Sequence, residues 1–125
     1  MDRIFTCTGD GTIQIHNSDG TVANNAYVTG LDTPVCLTLG PGGSLWGTDV
    51  YVIANGELLR IDSLGNSTTL GNGFGQGISD LKFGVDGSLY LSDFDNDRIL
   101  RIIPEPQTLL LLTFGIPAIL RRRKR

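Results

Sequence analysis

The sequence has little of what hydrolytic active sites use. Its 125 residues contain one histidine, His16, and two cysteines, Cys7 and Cys36, none at the spacing of a metal-binding motif. No serine stands in a motif that would pair it with a general base, so a hydrolytic triad is not supported. The cysteines are expected as buried free thiols or, in an oxidising compartment, as one disulfide. The sequence therefore predicts a protein that is not an enzyme and that has no metal or other cofactor.

Positive charge is scarce outside the last five residues. Charged residues make up 18% of the chain, and the formal net charge is −3. Arg121–Arg125 supplies five of the ten basic groups, so the rest of the chain carries five basic and 13 acidic groups, a balance of −8. Acidic surfaces repel phosphate backbones, and nucleic acid is therefore not an expected partner.

The N-terminus lacks the features of a secretory signal peptide. Residues 1–5, Met-Asp-Arg-Ile-Phe, offer no basic start followed by an apolar stretch of about 7–15 residues. We expect that the chain lacks its natural N-terminal part, because its C-terminus, described below, indicates export.

A repeat of about 44 residues indicates the fold. Residues 37–46 align with residues 81–90 at a shift of 44, and Gly11 and Gly20 match Gly56 and Gly65 at a shift of 45. Glycine is frequent, with 17 copies, and no stretch before residue 104 has a helical apolar period. Four short strands with tight glycine turns in each unit are typical of a β-propeller blade. The sequence predicts an all-β, partial propeller of about two and a half blades over residues 1–103.

The last unit resembles an NHL-type propeller blade. That family follows a Gly-x-Leu-Tyr-Val strand with Asp and then with Asn-x-Arg-Ile, and the chain has Gly87–Leu91, Asp93 and Asn96–Ile99 in this order. The middle unit has no Asn-x-Arg-Ile, and gluconolactonase-type or other six-bladed propellers are similar as well. Two and a half blades cannot close a ring and leave sheet edges open. We therefore expect a fragment of a longer protein, with assembly of several copies as the alternative.

Two aspartates occupy matching positions in the repeat. Asp49 and Asp93 each follow a predicted strand, where a metal-binding role in the propeller channel is one interpretation. The simpler one, which we prefer, is that each caps a turn by accepting hydrogen bonds from backbone N–H groups. Asp93, Asp95 and Asp97 also have the alternate spacing of a calcium loop, but the Gly and the closing Glu of an EF-hand are missing.

The C-terminal residues 104–125 combine three features. Pro104, Glu105 and Pro106 precede an uncharged apolar run, and five basic residues end the chain. As a helix the 13 residues 108–120 would span about 20 Å, short of the roughly 30 Å hydrocarbon core, a difference that snorkelling side chains and local thinning reduce. The positive-inside rule keeps the basic tail in the cytoplasm and residues 1–103 outside it. The predicted helix includes Leu109, Leu110, Leu111, Leu112, Phe114, Ile116, Ile119 and Leu120. The predicted basic stop consists of Arg121, Arg122, Arg123, Lys124 and Arg125.

This order of features resembles the PEP-CTERM sorting signal. The resemblance implies recognition by an exosortase, a membrane cysteine protease, and cleavage near residues 104–106. It also implies anchoring in the inner membrane and then delivery to the surface or exterior of a Gram-negative bacterium that makes exopolysaccharide. The alternative, a core helix over residues 107–120, fits poorly with four consecutive leucines and a basic tail.

Together these features predict an exported, cell-surface or extracellular propeller module that is not an enzyme. We expect it to bind a protein, matrix or exopolysaccharide-associated partner. The alternative is a fragment of a metal-dependent propeller hydrolase, such as a lactonase, whose active blades lie mostly outside this chain. Upstream blades with acidic and Asn ligands facing one channel would favour the enzyme.

Overall fold

The computed structural model describes residues 3–43, 45–104 and 109–113, which form three antiparallel sheets. The first sheet has the order β1-β2-β3, the second β4-β5-β6-β7 and the third β8-β9-β10-β11. The prediction of an all-β fold is confirmed.

The strands of the first sheet are β1 (Arg3–Cys7), β2 (Ile13–Asn17) and β3 (Val22–Val28). Those of the second sheet are β4 (Pro34–Leu39), β5 (Val50–Ala54), β6 (Glu57–Ile61) and β7 (Ser67–Gly71). Those of the third are β8 (Ile78–Phe83), β9 (Leu89–Asp93), β10 (Arg98–Pro104) and β11 (Leu109–Thr113), with a 3₁₀ turn at Phe94–Asn96.

The second sheet lies between two apolar cores. All five residues of β5 are buried, which is typical of a strand covered on both faces. One core joins the first and second sheets, and the other joins the second and third sheets. The first core contains Ile13, Val28, Val50, Val52, Ala54, Leu59 and Ile61. The second contains Trp46, Tyr51, Ile53, Leu58, Phe74, Ile78, Leu81, Leu89, Leu91, Leu100 and Ile102.

The repeat is less regular in the structure than in the sequence. β4 and β8 correspond at the predicted shift of 44 residues, with Leu37 and Leu81 at matching places. β5 begins at Val50 and β9 at Leu89, which is a shift of 39, so five additional residues lie between β4 and β5. This longer loop carries Trp46 into the second core, where the indole contacts Tyr51 and Phe83 edge to face. Residues 37–39 and 81–83 therefore lie in corresponding strands, whereas Leu45 and Trp46 lie in a loop and their counterparts Leu89 and Tyr90 lie in β9.

The apolar run near the C-terminus differs from the prediction. Leu109, Leu110, Leu111 and Leu112 lie in β11, which pairs antiparallel with β10, rather than in a helix. The edge of β10 offers hydrogen-bonding partners to the backbone groups of these residues. Within the residues that the structure describes, no helix is long and apolar enough to cross a membrane. Pro104 ends β10. Outside the described residues lie Glu105, Pro106, Phe114, Ile116, Ile119, Leu120 and the basic residues Arg121–Arg125.

Candidate functional site

The end of β9 holds a buried, charged aspartate. The side chain of Asp93 is 0% exposed, and its Oδ2 accepts hydrogen bonds from Arg98 Nε and Asn96 Nδ2, both at 2.9 Å. The 3₁₀ turn brings these partners back over the strand end, since Phe94 N donates to Gly77 O and Asp97 adopts a left-handed conformation with φ of 51°. The Asn-x-Arg segment of the NHL-like unit thus holds the aspartate of the preceding strand.

The charge of Asp93 is stabilised by these two neighbours. Burial alone would raise the pKa of its carboxyl, but the hydrogen bonds from Asn96 and Arg98, together with the positive charge of Arg98, lower the pKa below its usual value. Oδ1 of the same carboxylate is buried and has no hydrogen-bond partner among the described residues. The site therefore has one satisfied and one unsatisfied carboxylate oxygen.

An open groove runs beside this aspartate along the third sheet. It has a volume of about 710 Å³ and combines hydroxyl groups, two acidic side chains, one basic side chain and apolar surface. Phe94 is 76% exposed and Ile99 48% exposed, so both offer apolar surface to a ligand. Ser79 Oγ and Ser92 Oγ share a hydrogen bond of 2.8 Å. The groove is lined by Ser79, Tyr90, Ser92, Asp93, Phe94, Asp97, Arg98 and Ile99.

Asp49 is not the counterpart of Asp93, which corrects the prediction. Asp49 precedes β5 instead of ending a strand, and its Oδ2 accepts a hydrogen bond from Arg60 Nε at 2.8 Å. Arg60 also donates to the carbonyl oxygens of Leu45 and Trp46. The Asp49–Arg60 pair therefore stabilises the long loop between β4 and β5. Asp49 and Asp93 both accept their hydrogen bonds from side chains rather than from backbone N–H groups.

Turn capping is carried out by other aspartates. Asp62 accepts hydrogen bonds from the backbone N–H groups of Leu64 and Asn66, and Asp86 accepts one from Ser88. In the part of the chain that the structure describes, no three His, Cys, Asp or Glu side chains come together to hold a metal ion.

The two cysteines are free thiols, the first of the two predicted alternatives. Cys7 packs against the core between the first and second sheets, whereas Cys36 packs against the core on the other side of the second sheet. Burial raises the pKa of Cys7, and burial with the nearby charge of Asp80 raises the pKa of Cys36 to about 12. Both thiols are therefore protonated at neutral pH.

Sequence reasoning found part of this site. The NHL-like motif identified Asp93, Asn96 and Arg98, although their mutual contact was not predicted. Ser79 was missed because it lies in β8, outside the motif, and Tyr90 and Ile99 belong to the motif but were not predicted to line a groove. A further signal in the sequence was Phe94, an apolar residue between Asp93 and Asp95.

Comparison with known proteins gives a likeness of fold. No protein-family profile matches the chain, and no curated protein sequence does. The chain is similar to a solved structure of a catalytically inactive variant of virginiamycin B lyase from Staphylococcus aureus with quinupristin. The identity is 22% and the TM-score 0.57, and the match covers 91% of this chain. The chain spans 41% of the length of that lyase.

The likeness supports the propeller prediction and corrects another one. A fold shared with an enzyme contradicts the prediction that the chain is not an enzyme. That prediction rested on the missing hydrolytic triad, but lyases break bonds without hydrolysis and do not depend on a triad. At 22% identity the likeness shows the fold, a propeller-like set of sheets that serves as an enzyme scaffold in the lyase.

Proposed function

We propose that this chain is part of an exported, propeller-like protein that a PEP-CTERM signal at residues 104–125 delivers to the cell surface. The observation that carries the proposal is the order of features: Pro104-Glu105-Pro106, a 13-residue apolar run and five terminal basic residues. Each has a separate role. The prolines keep the motif extended, the apolar run enters the membrane as a helix, and the basic residues stay in the cytoplasm. Exosortase is the partner that cuts near the motif.

A matched pair of variants tests this proposal. The chain contains only two glutamates, Glu105 in the motif and Glu57 in β6. With an export signal added and exosortase present, we expect the wild type and Glu57→Gln to lose the basic tail, and Glu105→Gln to keep it. Mass spectrometry of the mature C-terminus measures this. An intact Arg125 on surface-exposed wild-type protein would refute the sorting function.

The groove beside Asp93 is the surface that we propose for a protein, matrix or exopolysaccharide-associated partner. Its exposed Phe94 can stack on a ligand, and Ser79, Ser92 and Arg98 offer hydrogen-bonding groups next to it. A ligand that contacts apolar surface and polar groups together buries apolar area and is also oriented by hydrogen bonds. The mixture of the two along one groove is what supports this choice.

An enzymatic role of the longer protein is the second candidate. It is favoured by the likeness to virginiamycin B lyase, of whose length this chain spans 41%. The test is to incubate the longer protein with quinupristin and to follow its consumption by mass spectrometry. A metal-dependent hydrolase, in contrast, needs ligands from further blades, because the described residues bring no three metal-binding side chains together.

A further inference from the structure

The outer edge of β10 is covered by residues of the proposed sorting signal. β11 pairs with β10 over five residue pairs, from Leu100 opposite Thr113 to Pro104 opposite Leu109. In the second sheet the corresponding outer position, next to β6, is occupied by β7. The third sheet thus completes its four strands with residues that are also suited to enter a membrane.

The sequence of β11 is unusual for this place. β7 reads Ser-Thr-Thr-Leu-Gly, and its first three residues are exposed. β11 reads Leu-Leu-Leu-Leu-Thr, without the alternation of apolar and polar residues that an outer antiparallel strand normally has. Leucine also favours insertion into a bilayer as a helix. The same five residues therefore have two competing environments, the sheet edge and the membrane.

We propose that Leu109–Thr113 switches between these two environments, and that β11 withholds the sorting signal until the membrane takes it. This inference rests on the proposed sorting function. In water the edge of β10 satisfies the backbone of β11, and in a bilayer a helix does so. The two states exclude each other because the backbone N–H and C=O groups of β11 form hydrogen bonds either with β10 or within a helix, and not with both at once.

The position of the cleavage motif makes the switch relevant to processing. Four residues connect Pro104 at the end of β10 with Leu109 at the start of β11, and Glu105 and Pro106 are two of them. While β11 is paired, both ends of this four-residue connection are held at the sheet, whereas a protease needs a peptide that it can hold in an extended form. When β11 leaves, the C-terminal end of the connection is released, and β10 becomes an open edge, which can accept a strand from another chain or another part of the protein.

A disulfide trap in the full chain tests the pairing. With Cys7 and Cys36 replaced by serine, Ile103→Cys and Leu110→Cys stand opposite each other in the register, within disulfide reach. The control combines Ile103→Cys with Thr113→Cys, about 10 Å further along the strand. With diamide as oxidant, we expect the opposed pair to cross-link about tenfold faster than the shifted pair. Equal rates would overturn the proposal.

The same variant tests the competition with the membrane. Vesicles of phosphatidylethanolamine and phosphatidylglycerol added before the oxidant should suppress the cross-link about tenfold, since the helix removes β11 from the sheet. The oxidised variant should stay uncut by exosortase and become cleavable after reduction. Cleavage of the oxidised form at the rate of the reduced form would refute the switch. If the reduced form is not cut either, the sorting function fails, and the vesicle result alone then upholds or overturns the switch.

Discussion

Replacing Arg98 by methionine removes the ion-pair partner of a fully buried carboxylate. Asp93 is 0% exposed and Arg98 28% exposed, with Nε and Oδ2 2.9 Å apart. Breaking a buried pair by removal of one partner costs about 3–5 kcal/mol. Because Arg98 is partly exposed, water can reach the vacated position and Asn96 still donates to Oδ2. We therefore expect Arg98→Met to lower the free energy of unfolding by about 2–3 kcal/mol at pH 7.

The loss should depend on pH in a defined direction. In the wild type the pKa of Asp93 is lowered, so its stabilising effect is present above the unfolded pKa of about 3.9 and is lost as the pH falls through the folded pKa. Without Arg98, the effect of burial is opposed by Asn96 alone, and the folded pKa rises. Protonation at low pH then relieves the unpaired charge. The difference between wild type and variant should be largest at pH 7 and smaller near pH 4.

Urea unfolding of the full chain in non-ionic detergent measures this difference, with the single tryptophan, Trp46, as the fluorescent probe. The control is Arg3→Met, which removes the same charge from an exposed position and should change the free energy of unfolding by less than about 0.5 kcal/mol. A loss below about 1 kcal/mol for Arg98→Met at pH 7, or an equal loss at pH 4, would refute the reasoning.

Two further substitutions test the long loop and the groove. A Cβ at Gly40 would lie 2.3 Å from the backbone oxygen of Gly47, so Gly40→Ala should cost about 1–3 kcal/mol in urea unfolding. Gly9→Ala meets nothing within 4 Å and should stay within about 0.5 kcal/mol of the wild type, and equal effects would contradict this account of the loop. Phe94→Ser should reduce retention of the exported protein on exopolysaccharide-producing cells, whereas Leu64→Ser, at a position 82% exposed, should not. Equal retention of both variants in a cell-pelleting assay would remove the groove from the proposed binding surface.

The sequence predicted those strands that bury one face. Residues 88–92 and residues 12–16 alternate apolar and polar side chains, a pattern that predicts strands, and they lie largely in β9 and β2. In both strands the apolar side chains are buried, so the alternation in the sequence follows directly from burial of one face of the strand. The same reasoning failed for residues 45–49, where a similar local sequence forms a loop. Buried Trp46 belongs to that loop, and its Nε1 donates to Gly87 O across to the third sheet, a contact that no local pattern contains.

The apolar C-terminal run shows a second reason why sequence alone was insufficient. Four consecutive leucines carry no period, so they fit a helix or a buried strand equally well, and the surroundings decide between them. An open edge on β10 favours the strand, and a bilayer favours the helix. The candidate groove was missed for a related reason, since it depends on register between strands rather than on neighbours along the chain.

The burial of β5 on both faces also has a consequence for synthesis on the ribosome. The apolar side of the first sheet is complete once Val28 is made, but the strands that cover it end only at Ile61. At about 5–20 residues per second, the 33 residues between them take roughly 2–7 s. During that interval the exposed side of the nascent first sheet is open to chaperones and to neighbouring nascent chains.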